Sequence, residues 1–180
     1  PELSFSIYKQ DSTFLNTKLD SKIFYNLNTK VKLALTYNYE SSINLDKSIE
    51  NNIENFSNYF LGFQFDFLVP KNDFFFNDRF LFKINPSFGK RTLNSNSTNQ
   101  IKIETSASYI WDLNSRNSIY IKNTNGFLKS NTYLNNELFR IGGPKSIRGF
   151  NEQSIFVNKY IMFNLEYRFL TSEKSYLYTI

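Results

Sequence analysis

The residues best able to do chemistry lie in one stretch. From Asn136 the chain reads Asn136-Glu137-Leu138-Phe139-Arg140-Ile141-Gly142-Gly143-Pro144-Lys145-Ser146-Ile147-Arg148-Gly149-Phe150, followed by Asn151-Glu152. Gly142-Gly143-Pro144 predicts a turn that residues with a Cβ could not adopt, and Arg148-Gly149-Phe150 sets a guanidinium beside a hinge and an aromatic anchor. A connection of about 25 residues with this content is usually functional. The plain alternative is an ordinary surface loop with a Gly-Gly-Pro turn.

Other chemistries are excluded by composition. The 180 residues include no Cys and no His, which removes disulfides, thiolate metal sites, thiol nucleophiles, Ser-His-Asp catalysis and imidazole proton transfer. No Gly-x-Ser-x-Gly motif occurs either. The carboxylate pairs Asp73/Asp78 and Glu50/Glu54 fall in loops, where a solvated role is expected. No catalytic residue, metal or cofactor is therefore expected. The net charge of +5 comes from 21 basic and 16 acidic residues scattered along the chain, without the basic run that nucleic acid would require.

The elements that must position the glycine-rich stretch are strands. In Val31-Lys32-Leu33-Ala34-Leu35-Thr36-Tyr37-Asn38-Tyr39-Glu40 every odd position is apolar or aromatic and every even one small, polar or charged, the mark of a strand with one dry face. The pattern returns with Leu61, Phe63, Phe65, Phe67 and Val69 opposite Gly62, Gln64 and Asp66. It returns again with Ile101, Ile103, Ala107, Tyr109 and Trp111 opposite Lys102, Glu104, Ser106 and Ser108. Near the end, Ile161, Phe163, Leu165, Tyr167 and Phe169 oppose Tyr160, Asn164, Glu166 and Arg168. Weaker copies run over Leu3 to Tyr8, Leu19 to Leu27, Phe80 to Phe88, Ile119 to Phe127 and Tyr176 to Ile180. Roughly nine strands and no helix are expected.

Aromatic residues make up 18% of the chain while its mean hydropathy is −0.43. No segment approaches the ~18 apolar residues of a membrane-spanning helix, and so aromatic a chain is not disordered. The clear strands run for about 9–11 residues, the length that crosses an outer membrane at a tilt. Aromatics cluster at strand ends, as at Tyr37/Tyr39, Tyr109/Trp111 and Tyr167/Phe169, where an interfacial girdle would sit. Short connections at Asn28-Thr29, Asp112 to Ser118 and Thr171 to Lys174 alternate with long ones at Ser41 to Ser57, Arg91 to Asn99 and Lys129 to Ser154. Val69 to Asp78 is a turn by parity, though a long one. This pattern favours an outer-membrane barrel. A soluble sandwich or lipocalin-type barrel also alternates, with the apolar face as core.

Glu137 to Phe150, read as E-L-F-R-I-G-G-x-x-S-I-R-G-F and followed after one strand by Leu165-Glu166-Tyr167-Arg168-Phe169, resembles the sixth-loop signature of the outer-membrane assembly and translocation barrels. These include BamA, TamA and the two-partner secretion transporters, and the likeness is closest to members from Bacteroidetes. It covers about a quarter of the chain. The resemblance implies an all-β fold, an antiparallel transmembrane barrel of sixteen strands behind POTRA domains, with the loop folded back into the lumen. It also implies that Arg148 pairs with an acidic residue on the inner wall, for which Glu166 matches the position, and that Gly142, Gly143, Gly149 and Phe150 shape the loop. Parity puts Glu166 on the polar side with Asn164, where a guanidinium and a carboxylate can form a bidentate pair.

On this resemblance residues 1–180 are part of a C-terminal barrel domain in the bacterial outer membrane, with Pro1 near the fifth strand and Ile180 within the thirteenth. The POTRA domains, the first and last strands, and the Phe-x-Asp-x-Gly pattern of the family's following strand lie outside it. The opening Pro1-Glu2-Leu3 carries no leader pattern, so a processed chain or a piece of a larger one is expected. Partners would be outer-membrane lipid, unfolded outer-membrane or secreted proteins, and accessory lipoproteins reached through POTRA domains, with no nucleic acid. Three functions compete: assembly of outer-membrane proteins, export of a partner protein, and a small passive barrel, since about eight strands can close alone.

Overall fold

A computed structural model describes residues 1–10, 13–45, 53–71, 78–144, 146–172 and 175–179, and these form an all-β antiparallel meander. The strands are β1 (Glu2–Gln10), β2 (Phe14–Asn26), β3 (Val31–Asn44), β4 (Phe56–Pro70), β5 (Asp78–Leu93), β6 (Asn96–Asp112), β7 (Asn117–Lys129), β8 (Phe139–Ile141), β9 (Ile155–Val157), β10 (Lys159–Ser172) and β11 (Ser175–Thr179). Nine of them build one sheet in the order β1-β2-β3-β4-β5-β6-β7-β10-β11, while β8 and β9 pair separately inside the long connection. The sheet is open. Among the described residues β1 and β11 are its edges, and the only helical element is the 3-10 turn Asn135–Glu137.

Among the described residues each stretch with period-2 patterning falls on a strand to within a residue at its end, but several ladders run further than the patterning. β3 to β6 have 14 to 17 residues, because pairing continues beyond the alternating run, most clearly where both faces turn polar, as in Asn96–Gln100. The expected long loop from Arg91 to Asn99 is in fact a tight hairpin. Asn94 and Ser95, at φ +45 and +73, form the two-residue turn whose twist suits a right-handed ladder. The opposite ends of β2/β3 and β6/β7 use one device twice, Leu27-Asn28-Thr29-Lys30 and Leu113-Asn114-Ser115-Arg116. In each, the Asn Oδ1 accepts the backbone N–H groups two and three residues on, at 2.8 to 3.0 Å. The connections Val69 to Asp78 and Thr171 to Lys174, and the carboxylates Asp73 and Glu50, lie partly or wholly outside the described residues.

Register fixes the two faces. Leu33 pairs with Phe65, Phe65 with Ile84, Phe80 with Tyr109, Tyr109 with Ile121 and Ile121 with Leu165, so one apolar face is continuous across the sheet. That face is bare: Leu35 is 68% exposed, Phe63 53% and Phe163 74%. The other face carries Thr36, Gln64, Ser87, Arg91 and Gln100, all buried. A soluble sandwich would have the reverse arrangement, with the apolar face as core. The apolar core that does exist sits on the polar face at the long-loop end, where Phe14, Phe56, Phe60 and Leu128 receive Leu134 and Ile141 of the long connection.

Candidate functional site

The long connection between β7 and β10 folds back over the polar face. Glu137 is its anchor. Arg91 Nη1 donates to Glu137 Oε1 at 2.5 Å, Gln100 Nε2 donates to Oε2 at 3.0 Å, and the Leu134 N–H donates to Oε1 at 3.0 Å. The Arg91 and Glu137 side chains are each 1% exposed, and Arg91 also donates to the Thr132 carbonyl and hydroxyl. Beside this pair Asn136 Nδ2 donates to Ser42 Oγ at 2.7 Å and to the Glu54 carbonyl at 2.8 Å, while its own carbonyl accepts from Asn16 Nδ2 at 2.8 Å. Ser42 Oγ donates to Asn16 Oδ1 and Asn16 Nδ2 to Glu40 Oε1, so a buried polar network ties β2 and β3 to the loop.

Arg140 and Phe139 show how the sheet is curved. The Arg140 guanidinium lies 3.8 Å from the centre of the Tyr8 ring on β1, an attractive cation–aromatic contact. Phe139 meets Tyr160 on β10 edge-on at 5.3 Å. β1 and β10 are seven strand intervals apart in the sheet, about 34 Å if it were flat at ~4.8 Å per strand. Successive Cα atoms are only ~3.8 Å apart. The sheet must therefore curl around the loop, which occupies its concave side. Gly126 admits this contact: a Cβ there would lie 2.4 Å from Tyr160 Cε1 and 3.1 Å from Phe139 Cζ.

Below the anchor lies a cavity of about 290 Å³ lined by Lys18, Glu40, Lys102, Glu104, Glu137 and Arg140, among others. Lys18 pairs with Glu40 at 3.1 Å and Lys102 with Glu104 at 3.3 Å. No cluster of metal-binding side chains occurs among the described residues. The arrangement can hold a loop by charge and hydrogen bonding.

Among known proteins, no family model matches the chain, and no curated protein matches it.

The glycines expected to shape the loop have the required backbone. Gly142, Gly143 and Gly149 have φ of +117, +94 and +85. At Gly142 a Cβ would lie 2.4 Å from the Asn151 carbonyl oxygen, and at Gly143 3.0 Å from Glu152 Cα. The Gly142 N–H donates to Ser146 Oγ at 2.7 Å, closing the turn. Gly142→Ala is expected to destabilise this turn by about 1–3 kcal/mol, seen as faster hydrogen exchange over residues 142–154 with the β4 to β6 amides unchanged.

The expected pair between Arg148 and Glu166 is not formed. Glu166 lies on the concave face as parity required, but its Oε2 accepts from Arg168 Nε at 2.9 Å and Nη2 at 2.7 Å. Arg168 is two residues along the same strand face and gains a further contact with the Tyr120 ring, 4.2 Å from its guanidinium, so the nearer cation takes the carboxylate. Arg148 and Phe150 are exposed. Ser146, Ile147 and Arg148 share a groove with Ile161–Leu165 of β10.

Sequence reasoning missed Arg91, Gln100 and Asn136, and it gave Glu137 no partner. Arg91 was hidden by reading its hairpin as a loop, and Gln100 fell between that loop and the strand read from Ile101. A signal was available, since both share the parity of inward Ser87 and Lys102. Inward Phe60 breaks the polar alternation of β4, which marks a place where something apolar must cover the polar face.

Proposed function

We propose that this chain is the barrel portion of an outer-membrane protein assembly and insertion factor of the BamA/TamA type. Its open, curled sheet is read as part of the wall of a sixteen-stranded barrel, with lipid on the bare apolar face and water on the polar one. The observation that carries the reading is the long connection, whose residues 134–141 lie inside the curl and are anchored there by the buried Arg91–Glu137 ion pair, while its Arg148–Phe150 stretch is exposed. Supporting it, the eleven residues of β10 from Lys159 to Phe169 make ten steps, about 33 Å along the strand. At a tilt of ~40° that is about 25 Å along the membrane normal, the height of an outer-membrane apolar band. Substrates would be unfolded outer-membrane proteins, with accessory lipoproteins engaged through domains beyond this sheet.

On this reading the loop and wall act without covalent chemistry. A loop pinned at Glu137 leaves Ser146, Ile147 and Arg148 beside Ile161–Leu165 of β10, where their position can follow movement of the wall. The test is complementation in cells depleted of the intact protein. Variants that release the loop, such as Glu137→Ala, should reach the outer membrane yet lower the amounts of other barrels there. Normal levels of other barrels combined with loss of a single exported protein would favour secretion instead.

A further inference from the structure

The apolar face has a basic end. Lys9, Lys90, Lys129 and Lys159 are exposed on the parity that carries Ile7, Phe88, Phe127 and Ile161, and all four lie at the long-loop end of their strands. At the opposite end the same face carries Tyr25, Phe67, Tyr109, Trp111, Tyr167 and Phe169. Lys159 pairs in register with Phe127, so Lys129 is its diagonal neighbour, about 7–8 Å away with the Cβ atoms somewhat closer. Neither forms an ion pair among the described residues. Next to them is a groove of about 680 Å³ walled by Ile103, Phe127, Ile161 and Phe163. It exists because its floor is made of short side chains. Asn125 Nδ2 donates to Thr105 Oγ1 at 2.8 Å and to Asn123 Oδ1 at 2.6 Å, and Asn123 Nδ2 donates to the Met162 carbonyl at 3.0 Å. The floor thus meets its own polar needs and leaves apolar walls around it.

We propose that this corner of β6, β7 and β10 is a binding site for an anionic, phosphate-bearing lipid of the leaflet at the long-loop end. Its phosphate bridges the Lys129 and Lys159 ammonium groups, and one acyl chain lies in the groove. The occupant follows from complementarity: two unpaired cations at headgroup level stand over an apolar slot that runs toward the bilayer centre. This rests on the reading of the apolar face as lipid-facing, and the experiment separates the two.

The intact protein is reconstituted in phosphatidylcholine vesicles carrying either spin-labelled phosphatidylglycerol or spin-labelled phosphatidylcholine, and the motionally restricted lipid is measured. Wild type should restrict phosphatidylglycerol in preference to phosphatidylcholine. Lys129→Gln and Lys159→Gln should each weaken that preference roughly fivefold, and the turn-end control Lys30→Gln should leave it unchanged. Thr105→Phe, which fills the groove without changing charge, should also reduce it. Inorganic phosphate should not displace the lipid; if it does, the site binds phosphate alone and the lipid proposal fails. Restriction of both lipids with no preference, or a preference that survives the double lysine variant, overturns the proposal while leaving the membrane reading intact. A protein that restricts neither lipid overturns both.

Discussion

Glu137→Ala is expected to release the long loop from the concave face. Glu137 and Arg91 are almost fully buried, so removing the carboxylate strands a guanidinium away from water, and breaking a buried pair in this way costs about 3–5 kcal/mol. The Leu134 N–H and Gln100 Nε2 lose an acceptor as well. Opposing release are the apolar contacts of Leu134 and Ile141, worth about 1.5–3 kcal/mol each, which are comparable in size to the loss. The loop should therefore open often rather than detach permanently. Hydrogen exchange at residues 134–141 should rise by orders of magnitude, while β4 to β6 stay protected. The double variant Arg91→Met with Glu137→Met removes both charges and keeps the volume, and it should restore most of the protection. Unchanged exchange in Glu137→Ala would show that the ion pair does not hold the loop.

The second large effect is on the bare face. Phe163→Arg places a charge near the middle of the apolar run Ile161, Phe163 and Leu165, and should cost about 2–4 kcal/mol of folding stability in a bilayer. Asn164→Arg, one residue on, points to the concave side beside Lys122 and should cost far less. Unfolding in urea from lipid vesicles, followed by fluorescence of the single Trp111, would read both. Equal costs would contradict the assignment of the faces.

The fold was legible because period-2 patterning is strongest where one face is uniformly apolar. Val31 to Glu40 and Ile161 to Phe169 announced both strand and sidedness. The patterning fades toward the long-loop end, where β5 and β6 continue as a ladder with polar residues on both faces, so Arg91 read as loop and Gln100 was left unassigned. The glycine-rich stretch was legible at Gly142 and Gly143, since a Gly-Gly-Pro sequence has few other uses than a turn with positive φ. Its fixing point was not, because an ion pair between Arg91 and Glu137 joins positions 46 residues apart and leaves no local trace. Arg148 drew attention through its neighbours Gly149 and Phe150, yet Arg168 stands closer to Glu166 on the same strand and takes that carboxylate.

The central claim is that this sheet is turned inside out, with its apolar face toward lipid and its polar face toward water. These 180 residues contain no cysteine, so in the intact protein, with any cysteine outside them replaced, single substitutions report without background. In the intact protein in vesicles, the free thiol of Leu35→Cys or Phe163→Cys should react slowly with a membrane-impermeant maleimide, and in separate samples a fluorophore attached there should be quenched by brominated acyl chains. At Gln64→Cys or Asn164→Cys the free thiol should react readily with the maleimide, and an attached fluorophore should escape the bromines. Quenching at Gln64 and Asn164 with ready aqueous labelling at Leu35 and Phe163 would contradict the account.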